Sequence, residues 1–91
     1  MEWDETKRQK NLRKHGLDFS EAAYVLESPF RLDVTTIRNN ENRTQSFAYV
    51  FDYLAVLSVV HVKSGTRIIS FRRASREERE VYHEWLADEL E

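Results

Sequence analysis

Apolar residues recur at helical spacing early in the chain, alternate through its middle and return to helical spacing at its end. Asp4 predicts the N-cap of a mostly polar first helix running to about His15, with Gly16 as its left-handed stop. Asp18-Phe19-Ser20-Glu21 then sets an acid three residues before a glutamate, ahead of Ala22, Ala23, Val25 and Leu26, and predicts a second helix that Ser28-Pro29 ends. From Phe30 the period is two: Phe30, Leu32 and Val34 alternate with Arg31, Asp33 and Thr35 up to a turn at Asn39-Asn40-Glu41-Asn42. Arg43 to Phe51 predicts the next strand, and Leu54 to Lys63 is apolar enough for a central strand covered on both faces. Ser64-Gly65 predicts a turn into a fourth strand over Thr66 to Arg73. Ser75-Arg76-Glu77-Glu78 reads as a capping box for a last helix whose Val81, Tyr82, Trp85, Leu86 and Leu90 share one face. The order α-α-β-β-β-β-α predicts one α+β domain over residues 1–91, an antiparallel four-stranded sheet with helices packed on one face.

Composition narrows the setting. With no cysteine, neither a disulfide framework nor a thiolate metal site is available. No apolar run approaches the roughly 18 residues of a membrane span, and Met1 to Trp3 does not begin a basic-then-apolar leader, so the cytoplasm is the expected location. The net charge of −2 gives no reason by itself to expect a nucleic-acid partner. The distribution is uneven, however: six bases face two acids between Lys63 and Arg79, and five acids and no Lys or Arg follow from Glu80. A second basic group, Lys7, Arg8, Lys10, Arg13 and Lys14, lies near the N-terminus. Either group can be a solvated face or a binding surface.

Arg67-Ile68-Ile69-Ser70-Phe71-Arg72-Arg73 carries the densest chemistry. Strict alternation sets Ile68, Ser70 and Arg72 on one face and Arg67, Ile69, Phe71 and Arg73 on the other. Glu78, Arg79 and Tyr82 on the following helix can converge with these arginines at the sheet end, or form an ion pair knitting strand to helix with Tyr82 in the core. His15, His61 and His83 fall in separate segments without ligand spacing, so no metal is expected. At a helix C-terminus His15 would favour its charged form and, beside Lys14, reach a phosphate; an idle helix-end residue fits equally. Only two glycines are present, which leaves no phosphate loop and no expected nucleotide cofactor.

Trp3-Asp4, Asn11, Lys14-His15-Gly16, Phe19, Glu21-Ala22, Pro29, Arg43, Arg67-Ile68-Ile69-Ser70, Arg72, Ala74, Glu78 and Tyr82 together resemble the BrnT toxin pattern across nearly the whole chain. The resemblance implies a RelE-like fold, ribonuclease activity that arrests translation, and a BrnA-like DNA-binding antitoxin. It further implies two toxins bridged by two antitoxins, with operator DNA touched through the antitoxin alone. A metal-free route suits these residues: the RNA 2′-hydroxyl attacks the adjacent phosphate, giving a cyclic phosphate and a 5′-hydroxyl. Arg67, Arg72 and Arg79 are then the expected phosphate clamps, and His15 and Glu78 the expected proton carriers. Tyr82, Lys14 and Arg73 are expected to bind and position substrate. The turn over His61 to Gly65 is shorter than the pattern's, and Ala48 or Tyr49 replaces its glycine. Two rivals remain on sequence grounds: a non-catalytic module docking nucleic acid or an acidic protein, and a structural subunit whose arginines pair with its acidic last helix.

Overall fold

The computed structural model describes residues 1–63 and 65–91. Helix α1 (Glu5–His15) starts at Asp4, whose carboxylate accepts from the Lys7 backbone N–H, and stops at Gly16 in the left-handed conformation. The second helical segment is shorter than its pattern predicts: a 3-10 turn (Phe19–Glu21) leads into the single-turn α2 (Ala23–Leu26). Strands β1 (Leu32–Arg38), β2 (Glu41–Val50), β3 (Ala55–Val62) and β4 (Arg67–Arg73) follow, and α3 (Arg76–Glu89) ends the fold. The sheet is antiparallel throughout in the order β1-β2-β3-β4, a meander. Asn39 and Asn40 both take positive φ in the β1–β2 turn, the conformation that suits a two-residue hairpin. Of the predicted Ser64-Gly65 turn, Ser64 lies outside the described residues.

Helices cover both faces of the sheet rather than one. Along β2, Ala48 sits opposite Leu57 and Phe47 opposite Ser58, so neighbouring residues serve different faces. Leu17, Phe19, Ala22 and Val25, from the α1–α2 region, pack with Ala48, Leu57, Val59 and Phe71 in the larger core. Phe47 and Val56 point the other way and are covered by Ala74 and by Tyr82, Trp85 and Leu86 of α3. Because β2 and β3 carry apolar side chains on both faces, one helical layer cannot bury them all. Val81 and Leu90, expected on the buried side of α3, remain largely exposed.

Strict alternation also fails in β4. Val60 pairs with Ser70 but His61 pairs with Ile68, so Ile69 is an extra residue in a bulge. The slip places Ile68 and Phe71 in the same core and turns Ile69, Ser70 and Arg72 toward the other face. Edge strand β4 is closed on its outer side by two devices. The Glu2 backbone bonds to Thr66 and Ile68, and the Asn11 side chain donates to the Phe71 carbonyl (2.6 Å) while accepting from the Phe71 N–H (3.1 Å).

Candidate active site

Three elements meet at the junction of β4 and α3. Ser75 caps α3, its hydroxyl accepting from the Glu78 N–H, while Glu78 Oε1 accepts from the Ser75 N–H at 2.7 Å. The capping box fixes the Glu78 carboxylate in space, and that carboxylate takes the Arg72 guanidinium end-on, at 2.7 Å (Nη1–Oε1) and 2.9 Å (Nη2–Oε2). Gln45 of β2 completes the support by donating through Nε2 to Glu78 Oε2 (3.0 Å) and Ser58 Oγ (3.0 Å). Arg72 and the Ser75 N–H hold the Glu78 carboxyl down to about 2, and the carboxylate in turn raises the Arg72 pKa. Both side chains stay partly open to solvent, so this ion pair orients a guanidinium that a substrate can still reach.

The arginine borders an open groove of about 510 Å³ on the sheet face beyond the end of α3. Arg38 and Arg43, from the β1–β2 hairpin, line it with Arg72, and Gln45 and Ser70 supply polar groups. Arg43 is paired to Glu41 (Nε–Oε1 3.1 Å) at its rim. His15 stands at the end of α1, whose Asn11 is bonded to Phe71 beside Arg72. Burial first, then the charges of Lys14 and Arg72, push the His15 pKa below its ordinary 6.5. That direction is opposite to the charged form expected from sequence at a helix end: desolvation and two nearby cations disfavour the imidazolium. The shift favours the neutral imidazole, the form that can accept a proton.

The other expected site residues are dispersed. Arg67 begins β4, five residues from Arg72 and roughly 16 Å along the strand. Arg73 serves the opposite face, where its charge acts on the Tyr53 phenol. Arg79 donates to the Ala74 carbonyl (3.0 Å), which ties it to the β4–α3 corner. Tyr82 is buried; its hydroxyl donates to the Phe30 carbonyl (2.7 Å) and accepts from the Tyr49 N–H (3.3 Å). Lys14 is exposed beside His15. Arg38, Arg43 and Gln45 are the groove residues that sequence reasoning gave no role. Arg43 belongs to the resemblance pattern, but only the hairpin register, which sets it opposite Thr36, brings it to the groove. Among the described residues no three His, Asp or Glu side chains cluster as metal ligands, and no helix is long and apolar enough to cross a membrane.

A small α+β fold that holds one guanidinium between two carboxylate oxygens and sets two further arginines along the same groove offers the positive charge that a phosphate group complements. Residues 3–78 match the family model BrnT_toxin, described as the ribonuclease toxin, BrnT, of type II toxin–antitoxin systems. The match spans most of the 91 residues, and the chain belongs to the BrnT family. It ends at Glu78, so Arg72 and its carboxylate partner lie inside it while Arg79 and Tyr82 lie beyond. No curated protein matches the chain.

Proposed function

We propose that this chain is a metal-independent endoribonuclease that cleaves RNA in the arginine-lined groove, arrests translation, and is neutralised by a BrnA-like antitoxin. The observation that carries this reading is Arg72, held at two points by Glu78 in a groove shared with Arg38 and Arg43. In the reaction the 2′-oxygen bonds to the adjacent phosphorus and the bond from phosphorus to the 5′-oxygen breaks. The 2′-proton passes to a base, and an acid supplies a proton to the leaving 5′-oxygen. The products are a 2′,3′-cyclic phosphate and a 5′-hydroxyl.

Arg72 stabilises the charge that builds on the non-bridging oxygens. Neutral His15 takes the 2′-proton, since Glu78, held to about 2, is too weak a base for that task and serves to aim Arg72. Arg38 and Arg43 grip flanking phosphates, with Lys14, Arg67 and Arg79 as outer contacts, while Arg73, on the other face of the sheet, takes no part and Tyr82 braces the sheet against α3. The antitoxin reading carries a stoichiometry of two toxins to two antitoxins, operator contact through the antitoxin alone, and action in the cytoplasm.

Inducible expression of the wild type and Arg72→Ala, with growth recording and mapping of RNA ends in the same cultures, tests the proposal. Arrest with new 5′-hydroxyl ends, both lost in the variant, is the expected outcome, and loss of one such charge-stabilising donor lowers turnover about 10²–10³-fold. Intact RNA in wild-type cultures overturns it in favour of a non-catalytic binding module. Light scattering of the purified toxin–antitoxin complex checks the stoichiometry.

A further inference from the structure

The end of β2 far from the arginine groove carries a second surface of opposite character. Phe51 is 79% exposed and Leu54 72% exposed on the 3-10 turn (Phe51–Tyr53) that joins β2 to β3. Leu54 closes this turn at φ 50°, a conformation that a glycine or asparagine adopts far more readily than a leucine. Neither side chain is part of either core, so the two leave adjoining apolar area on a strained turn open to a partner.

Beside this turn, α2 forms the other wall of an open groove of about 530 Å³. Tyr24, Pro29, Tyr49 and Phe51 supply its apolar sides, and Tyr24 is steadied by an edge-to-face contact with Tyr53 (6.3 Å). Tyr53 in turn donates to Glu21 (2.8 Å). The charged groups at the groove are the carboxylates of Glu21, Glu27 and Asp52, and its described lining includes no Lys or Arg. Such a rim repels RNA and an anionic bilayer alike, which leaves a protein carrying positive charge as the complementary occupant. From Arg43 to Tyr49 the strand runs roughly 20 Å, so this groove and the arginine groove can be occupied independently.

We infer that the groove between α2 and the β2–β3 turn docks a segment of a protein partner that inserts an apolar anchor between Tyr24 and Phe51 and sets flanking Lys or Arg against Glu27 and Asp52. The inference rests on the family reading only in taking the antitoxin as that partner. It assigns the antitoxin a foothold outside the catalytic groove.

The test uses the full chain and its BrnA-like antitoxin, purified separately and titrated by calorimetry at low and high salt. Phe51→Ser, and Glu27→Lys combined with Asp52→Lys, are each expected to weaken binding at least about tenfold. The charge variant should also lose most of the salt dependence. Both variants are expected to melt like the wild type and, as free proteins, to cleave RNA at its rate. Unchanged affinity in both, with loss confined to Arg43→Ala, places the antitoxin on the arginine groove and overturns the inference. So does self-association of the free chain that these same changes abolish, because the occupant is then a second copy. If the free wild-type chain leaves RNA intact, the proposed activity fails while the titration still decides the groove.

Discussion

In the proposed site Arg72, Glu78 and His15 differ in the direction in which their surroundings move their ionisation. Glu78 at about 2 remains a carboxylate at any working pH, and its two contacts with Arg72 keep the guanidinium flat against one direction of approach. The proton affinity of His15 is lowered by burial first, then by Lys14 and by Arg72 itself. Cleavage of an RNA oligonucleotide is therefore expected to rise with pH along a limb whose midpoint lies below 6.5, and His15→Ala should remove that limb. Arg72→Gln takes away one of the cations pressing on His15, so the residual activity should show its limb displaced to higher pH. An unmoved limb would separate His15 from the arginine. Arg38 and Arg43 act differently, because they face the groove without touching the capping box. Replacing Arg43 with alanine should weaken binding of single-stranded RNA similarly for all sequences and reduce the salt slope by about 0.7. A change confined to one sequence, or none in slope, would remove Arg43 from the phosphate track.

At the level of elements, Asn11 does more than its helical position suggests. The α1 pattern is polar almost all round, and Asn11 is its buried residue, bonded to the Phe71 N–H and carbonyl and to the Leu17 carbonyl (3.0 Å). One amide side chain thus substitutes for a neighbouring strand on β4 and ties α1, which ends at His15, to the strand that carries Arg72. Asn11→Ala leaves a buried donor and acceptor of Phe71 unpaired and should cost about 2–4 kcal/mol in urea unfolding. Asn11→Asp keeps the size but faces the two carbonyls with an anion, and should be no milder; a neutral effect of either change would deny the clamp. Element types and the two capping motifs of Asp4 and Ser75-Glu78 were legible in sequence because side chain and backbone partner lie three residues apart. The bulge at Ile69 was not, since a register slip depends on where His61 of β3 pairs and β4 alone has no trace of it. For the same reason the Arg72–Glu78 pair could be anticipated from a short loop, whereas the approach of Arg38, Arg43 and Gln45 depends on strand order.

For the molecule as a whole, the sheet separates the face that carries the arginine groove from a core face that hides one ionisable chain. Asp33 accepts from Ser46 Oγ (2.6 Å), and Ser46 Oγ lies 2.7 Å from His61 Nε2. An ionised Asp33, paired with Arg31 at 3.0 Å, can only accept, so the serine proton points to it and the serine oxygen accepts from Nε2–H. That tautomer leaves His61 Nδ1 as a bare lone pair, buried and, among the described residues, without a partner. Burial lowers the His61 pKa below 6.5 and Arg31 adds to the effect, against the opposing pull of Asp33. His15 is shifted in the same direction. In the folded chain both bind fewer protons than in the unfolded one once the pH falls below about 6.5, so stability is fully present above that value and declines as the pH drops through it. Glu78 and Asp18, with lowered pKa values, add a second loss only at lower pH, where unfolded carboxylates begin to protonate. Thermal unfolding is expected to show two separate acid steps, and His61→Gln, which keeps a donor toward Ser46 but cannot titrate, should flatten the first and leave the second. An equal fall in Tm between pH 7.5 and 5.5 for wild type and variant would mean that the buried ring does not couple protonation to the fold.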